Sequence, residues 1–204
     1  MKRLIHFFWG QLSGEELKKF SLLSLGAFCL IGSYWPLKPL KESIFINMIG
    51  ASYLPDAKMY SVLICLPLVL FYSKLVDYFS KERLIYVFLT IYISLGILFV
   101  YLLLHPTIGV ANPAQDPSRY VAWAFYLFAE SYLTLMVALY WSFISDITTT
   151  ESAKRGYGLV AFGSQTGGFI FSFVGLALIS NTAAYVTRVP MIVGISVSMF
   201  FMLG

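Results

Sequence analysis

Charge is what this sequence has least of. Only 12% of its 204 residues are Asp, Glu, Lys or Arg, about half the share of an ordinary soluble domain. With 59% hydrophobic residues and a mean hydropathy of +0.79, that shortage argues against both a disordered tail and a water-soluble globule. Cysteine is nearly missing as well. Cys29 and Cys65 both fall in apolar runs, where small buried hydrophobes fit better than a disulfide, and no metal-ligand spacing exists. HExxH, GxSxG and a carboxylate pair set for hydrolysis are all lacking, so no catalytic, cofactor or metal role has a motif to stand on. The net charge of +4 is spread along the chain, which gives no basic patch for nucleic acid. Aromatics, in contrast, reach 18%, with 14 Tyr and 4 Trp. Such residues suit a chain that meets lipid and headgroups along its length.

A spanning helix takes about 20 residues, so the length suffices for six with short loops. Residues Met1 to Lys19 form a polar, mixed-charge lead, expected to be an interfacial helix or a short cytoplasmic lead. Gly10-Gln11 and Glu15-Glu16 interrupt any signal-peptide core. Six apolar segments follow in 20–204. The first runs from Phe20 to about Trp35, or on, kinked, to Ile49. The others are Ala57–Phe79, Leu84–Leu104, Val121–Ser145, Tyr157–Ile179 and Ala184–Gly204. Gly50-Ala51-Ser52 with Pro55, Ser80 through Arg83, and Asn112-Pro113 through Pro117 read as turns. The runs are about twice strand length and lack alternation, so the expected fold is all-α, a polytopic transmembrane helix bundle. The last run ends without a polar tail, which suggests a piece of something longer.

Basic residues set the expected orientation. Lys2, Arg3, Lys18, Lys19, Lys74, Lys81, Arg83, Lys154 and Arg155 fall on one side, and Lys38, Lys41, Lys58, Arg119 and Arg188 on the other. The amino terminus is therefore expected to be cytoplasmic.

Several polar groups are not needed for topology. Glu130 lies near the middle of the fourth segment, where an acid costs about 2.5–3.5 kcal/mol on insertion scales. At helical spacing it shares a stripe with Tyr126, Thr134, Val137, Trp141 and Ser145. Such a stripe suits a water-filled path, or a paired carboxyl that joins helices. Lys38 and Lys41, three residues apart with Tyr34 a turn earlier, share a face if the first helix passes Pro36 and Pro39. They then suit a phosphate or carboxylate substrate. If the helix ends at Trp35, they only snorkel to headgroups. Asp77, Lys81 and Arg83 flank the second-to-third turn. This turn resembles a reduced form of the loop between the second and third helices of the major facilitator superfamily, where acid and bases latch the cytoplasmic face. An ordinary solvated turn is the competing reading. Gly163 and Gly167 form a small-xxx-small pair suited to close packing. Between them, Gln165 offers a polar group to a cavity. No lysine follows these glycines to make a nucleotide-binding P-loop.

Three stretches, in order, carry a family resemblance. LKPLKESIFINMIGASYLPDAKMYSVL resembles an L-R-D-T-K-D run followed by a Gly-containing turn, a Pro and a Lys. YSKLVDYFSKERLIY is similar to Y-x-K-L-S-N-x-L-S-K-x-x-L-[FY]-Y. WAFYLFAESYLTLMVALYWSFISDITTTESAKRGYGLVAFGS resembles W-S-F-x-L-F-Y-V-x-A-E-L-W-G-S, then F-W-G-F-A-N-Q-I-T and A-K-x-F-Y. These are patterns of the ATP/ADP antiporter (nucleotide transporter) family of plastids and obligate intracellular bacteria, and the match runs from about Lys19 to Gly168. The resemblance implies a major-facilitator-like carrier of twelve helices in the inner (cytoplasmic) membrane. This chain would be its amino-terminal six-helix half, exchanging ADP and phosphate for ATP or moving related nucleotides. A carboxy-terminal half or a second copy would complete the site.

On that alignment Lys41 matches the family's first-helix lysine and Glu130 its fourth-helix glutamate. Lys38 stands for Arg and Glu42 for Asp, which keeps both charges. The match favours a substrate-phosphate role for the two lysines. Tyr132 in place of Trp, Ser145-Asp146 for Asn-Gln, Gly156 for Phe and Gln165 for Asn depart from the pattern. They leave ATP/ADP exchange and proton-linked nucleotide uptake both open. A carrier of the same fold for another organic anion or phosphorylated metabolite, and a non-transport membrane scaffold, are the competing readings.

Overall fold

The computed structural model describes residues 13–180 of the chain, and the side chains of 13–173. The first twelve residues and the sixth apolar segment, Ala184–Gly204, lie outside the described residues. Within 13–180 the elements are α1 (Gly14–Met48), a single 3-10 turn (Ala51–Tyr53), α2 (Leu54–Tyr78), α3 (Lys81–Leu104), α4 (Tyr120–Ile147) and α5 (Thr150–Ser180). Helices α1 to α4, α2 counted with the turn before it, are each long and apolar enough to cross a membrane. The expected all-α polytopic bundle is what the described residues form.

Helix α1 starts six residues before the apolar run, because Ser13 caps it. Its hydroxyl accepts from the Glu16 amide at 3.2 Å while the Glu16 carboxylate accepts from the Ser13 amide at 3.0 Å. This reciprocal capping box satisfies two donors that the first turn leaves free. The helix then runs unbroken through Pro36 and Pro39. The alternative in which it stops at Trp35 is thereby set aside. Two other expected boundaries shift. Lys81, Glu82 and Arg83 belong to the first turn of α3, and only Phe79 and Ser80 separate it from α2. Pro55 sits in the first turn of α2, where its missing N–H costs no helical bond.

Helix α4 is central and packs on α1, α2 and α3, whereas α5 packs along α1. Glycine makes the α1–α5 seam. A Cβ on Gly32 would fall 2.9 Å from the Gly167 carbonyl carbon, one on Gly163 would collide with Ser24, and one on Gly167 with the Phe28 carbonyl. The small-xxx-small pair therefore packs, as its spacing predicts. Across the same seam Ser24 donates to the Leu159 carbonyl at 2.8 Å. Tyrosines hold α4: Tyr132 donates to the Leu30 carbonyl at 3.1 Å, Tyr140 to that of Leu23, and Tyr92 of α3 to the Ser131 hydroxyl at 3.1 Å. Hydrogen bonds between helices are a main source of specificity where lipid cancels the hydrophobic drive.

At the end opposite Ser13, Gly50 turns the chain at φ 121°, a region glycine enters without steric cost. The loop between α3 and α4 is gathered by one side chain that sequence reasoning assigned only to topology. Arg119 donates to the carbonyls of Asn112 at 3.1 Å, Ala114 at 2.9 Å and Ile108 at 3.1 Å, and also to that of Gly109. The planar fork of arginine fits several carbonyls at once, which lysine cannot imitate. The loop is tied to α1 by the Asp116 amide on the Met48 carbonyl at 3.0 Å and by Gln115 on that of Ile46 at 3.1 Å. Ser118 donates its amide to the Asp116 carboxylate and holds that carboxyl below its usual range. Arg119→Lys should therefore loosen the loop while keeping its charge. The expected result is faster proteolytic cleavage within residues 105–119, measured on membranes opened from that side, and unchanged cleavage would reject the clamp.

Candidate substrate site

The site is built where α1 and α4 pass each other. Lys41 is 1% exposed, and its ammonium is ion-paired with the Glu130 carboxylate. Burying an ammonium is tolerable only with a partner and further contacts. Lys41 has both, since the face of the Tyr126 ring lies 4.1 Å from its Nζ. Tyr126 is fully buried against Phe45, ring centroids 5.3 Å apart. The Glu130 side chain is 26% exposed, so one end of the pair is buried and the other opens outward. Below Glu130 on the same helix face, Thr134, Val137 and Trp141 are partly open too, and Ser145 is exposed. The stripe expected from the sequence is thus a half-open one.

Tyr34 is buried close by, and its hydroxyl is within electrostatic reach of Glu130 and Glu42. Glu42 forms a looser pair with Lys58 of α2 at 3.8 Å. Lys38 is exposed and has no ion pair among the described residues. Lys38 and Lys41 lie about 60° apart around the helix and differ in burial, Lys41 being enclosed and Lys38 exposed. Gln165 is exposed on α5, three residues before Gly168, whose backbone abuts the Trp35 ring.

The three residues expected to form a gate are not brought together. Lys81 pairs with Asp146 at the end of α4, at 2.8 Å, instead of with Asp77. Asp77 and Arg83 are exposed and form no ion pair among the described residues. The reason is the break at Phe79–Ser80, which ends the helical register that would have set Asp77 and Lys81 one turn apart. Sequence reasoning missed a second tie at this end of the bundle. Glu16 accepts from Arg155 at 2.7 Å and from the Ser152 hydroxyl at 2.9 Å, joining α1 to α5. The Ser-x-x-Glu spacing at Ser13 was the signal for the cap, and nothing local pointed to Arg155. No group of His, Cys, Asp and Glu able to hold a metal ion occurs among the described residues.

A buried lysine of one membrane helix paired with a half-open glutamate of another is rare in a purely structural bundle and frequent on solute paths. The chain matches the TLC ATP/ADP transporter family over residues 1–203. It belongs to that family. Among its curated relatives, ADP,ATP carrier protein 4 of Rickettsia bellii is 32% identical over 75% of this chain and 33% of that protein. The protein of the same name in Rickettsia prowazekii is 29% identical over 91% of the chain and 40% of its own length. ADP,ATP carrier protein 5 of Rickettsia felis is 31% identical over 85% and 38%. The chain thus spans between a third and two fifths of the TLC relatives it matches. No solved structure matches it significantly.

Two departures from the family pattern have a structural use. Tyr132, where the pattern has Trp, supplies the hydroxyl that bonds the α1 backbone. Asp146, where it has Gln, is engaged by Lys81.

Proposed function

We propose that this chain forms the amino-terminal part of a carrier that moves nucleotides of the ATP/ADP type across the inner membrane. In this reading it works by alternating access, with its amino terminus in the cytoplasm and a carboxy-terminal half, or a second copy, completing the site. Lys38, Lys41 and Glu130 line the substrate path, with Tyr34 and Gln165 beside it. The observation that carries the reading is the Lys41–Glu130 pair, a buried cation whose counter-ion opens outward. A phosphate chain is a compact polyanion, and a lysine ammonium recognises it as a point charge. Lys38, exposed and unpaired, adds the first cation that such a substrate would meet. The relatives named as ADP,ATP carriers support nucleotides over another organic anion and over a scaffold.

Radiolabelled ATP and ADP offered to cells expressing the open reading frame that contains this chain should be taken up. Unlabelled nucleotides should compete better than phosphorylated sugars or simple organic acids. Faster ATP uptake after preloading with ADP identifies exchange, and uptake driven by a pH gradient identifies proton coupling. Absence of any nucleotide uptake would overturn the substrate class. At the cytoplasmic end, Lys81 with Asp146 replaces the expected Asp77–Lys81–Arg83 latch as the gating pair. Asp146→Asn should shift the balance of inward and outward states, read as a changed ratio of influx to efflux, whereas Asp77→Asn should leave that ratio unaltered.

A further inference from the structure

Tyr126 has two features that do not ordinarily occur together. Its side chain is fully buried, yet its hydroxyl finds no hydrogen-bond partner among the described residues. An orphaned buried hydroxyl is costly, and phenylalanine would pack there without that cost. What the ring does have is the Lys41 ammonium over its face at 4.1 Å. The ring is itself fixed by Phe45, centroids 5.3 Å apart, and Phe45 in turn by Trp123 edge-on at 4.8 Å. Lys41 therefore has two attractive partners of different kinds. The Glu130 carboxylate is half-open and stands where a phosphate would compete for the same ammonium. The Tyr126 face is enclosed, and no anion can displace it.

We propose that Tyr126 is a positioning residue for substrate: the face of its ring holds the Lys41 ammonium in place while the Glu130 carboxylate gives way to a substrate phosphate. The proposal rests on the nucleotide-carrier reading above. A lysine has four rotatable bonds in its stem and swings freely once its counter-ion leaves. A cation–π contact in a desolvated site has its greatest strength there and keeps the ammonium at one point through the exchange. The contact is made by the π face alone, so the hydroxyl is dispensable and the ring is not.

The test is nucleotide uptake by cells expressing the open reading frame, with membrane abundance measured on the same samples. Wild-type uptake confirms that the carrier reading holds, so the Tyr126 variants report on this inference alone. Tyr126→Phe should keep KM within about twofold of wild type. Tyr126→Leu should raise KM by about tenfold, the order expected from a desolvated cation–π contact, with a smaller change in maximal rate per inserted molecule. Should the leucine variant fail to insert, replacement of Tyr126 by phenylalanines of increasing fluorination keeps the shape and drains the ring face. KM should then rise stepwise with fluorine number. A flat fluorination series, a leucine variant with wild-type KM, or a phenylalanine variant as impaired as leucine would each overturn the proposal.

Discussion

Lys41→Ala and Glu130→Ala should each lower nucleotide uptake per inserted molecule by at least about thirtyfold, the least expected from truncating one partner of a buried charge pair at about 2 kcal/mol. Their effects on the folded protein should differ, because the two ends of the pair differ in burial. Removing Glu130 strands an ammonium that is 1% exposed, and an uncompensated buried charge costs about 3–5 kcal/mol. Removing Lys41 strands a carboxylate that is 26% exposed and can hydrate. Glu130→Ala should therefore reduce membrane abundance more than Lys41→Ala does. The double variant Lys41→Met with Glu130→Gln should recover abundance, since an ion pair exchanged for uncharged groups of similar volume is often neutral in stability, yet it should not recover uptake. Uptake at the wild-type level in either alanine variant would remove that residue from the path. Recovery of uptake in the double variant would mean that the pair only joins helices.

The second large effect is expected on the glycine seam and has a built-in control. Gly167→Ala drives a methyl group into the Phe28 carbonyl on α1, whereas a Cβ on Gly158 of the same helix meets nothing within 4 Å. Alanine is the better helix former by about 0.5–1 kcal/mol, so Gly158→Ala should be neutral or slightly stabilising. Gly167→Ala should cost about 1–3 kcal/mol through overpacking. Backbone at the point of contact leaves no flexible side chain to yield, which favours the upper end. Thermal unfolding of the detergent-purified variants, followed by tryptophan fluorescence, should separate the two in opposite directions. Equal melting temperatures would mean that α5 does not pack on α1 through these glycines.

How much of this could be read in the sequence depended on the range of the interaction. The spans of α2 to α5 follow from apolar runs of one length and fall within a few residues of the helices observed, except where polar first turns extend them. The early start of α1 was legible from Ser13 and Glu16 but needs the cap rule instead of hydropathy. Passage through Pro36 and Pro39 was not legible, because each proline removes one backbone bond and only packing by α4 and α5 decides whether the helix survives the loss. Glu130 and Lys41 stood out by depth, and the family pattern singled out the same two. Their contact, 89 residues apart in sequence, comes from helix packing that no local pattern encodes. The choice of Asp146 by Lys81, 65 residues away, is of the same kind. Tyr126 lay on the stripe of Glu130, but nothing in its spacing foretold a hydroxyl without a partner.

The 35 residues of α1 make a rod of about 52 Å at 1.5 Å per residue, well beyond the roughly 30 Å of a hydrocarbon core. Its two prolines therefore stand like a fulcrum on a long beam. A bend of about 10° introduced at Pro36 would sweep the Gly14 end, some 33 Å away, through about 6 Å. That end is fastened to α5 by Glu16 and Arg155, so a slight adjustment near the prolines would pull on that fastening at the far end of the beam.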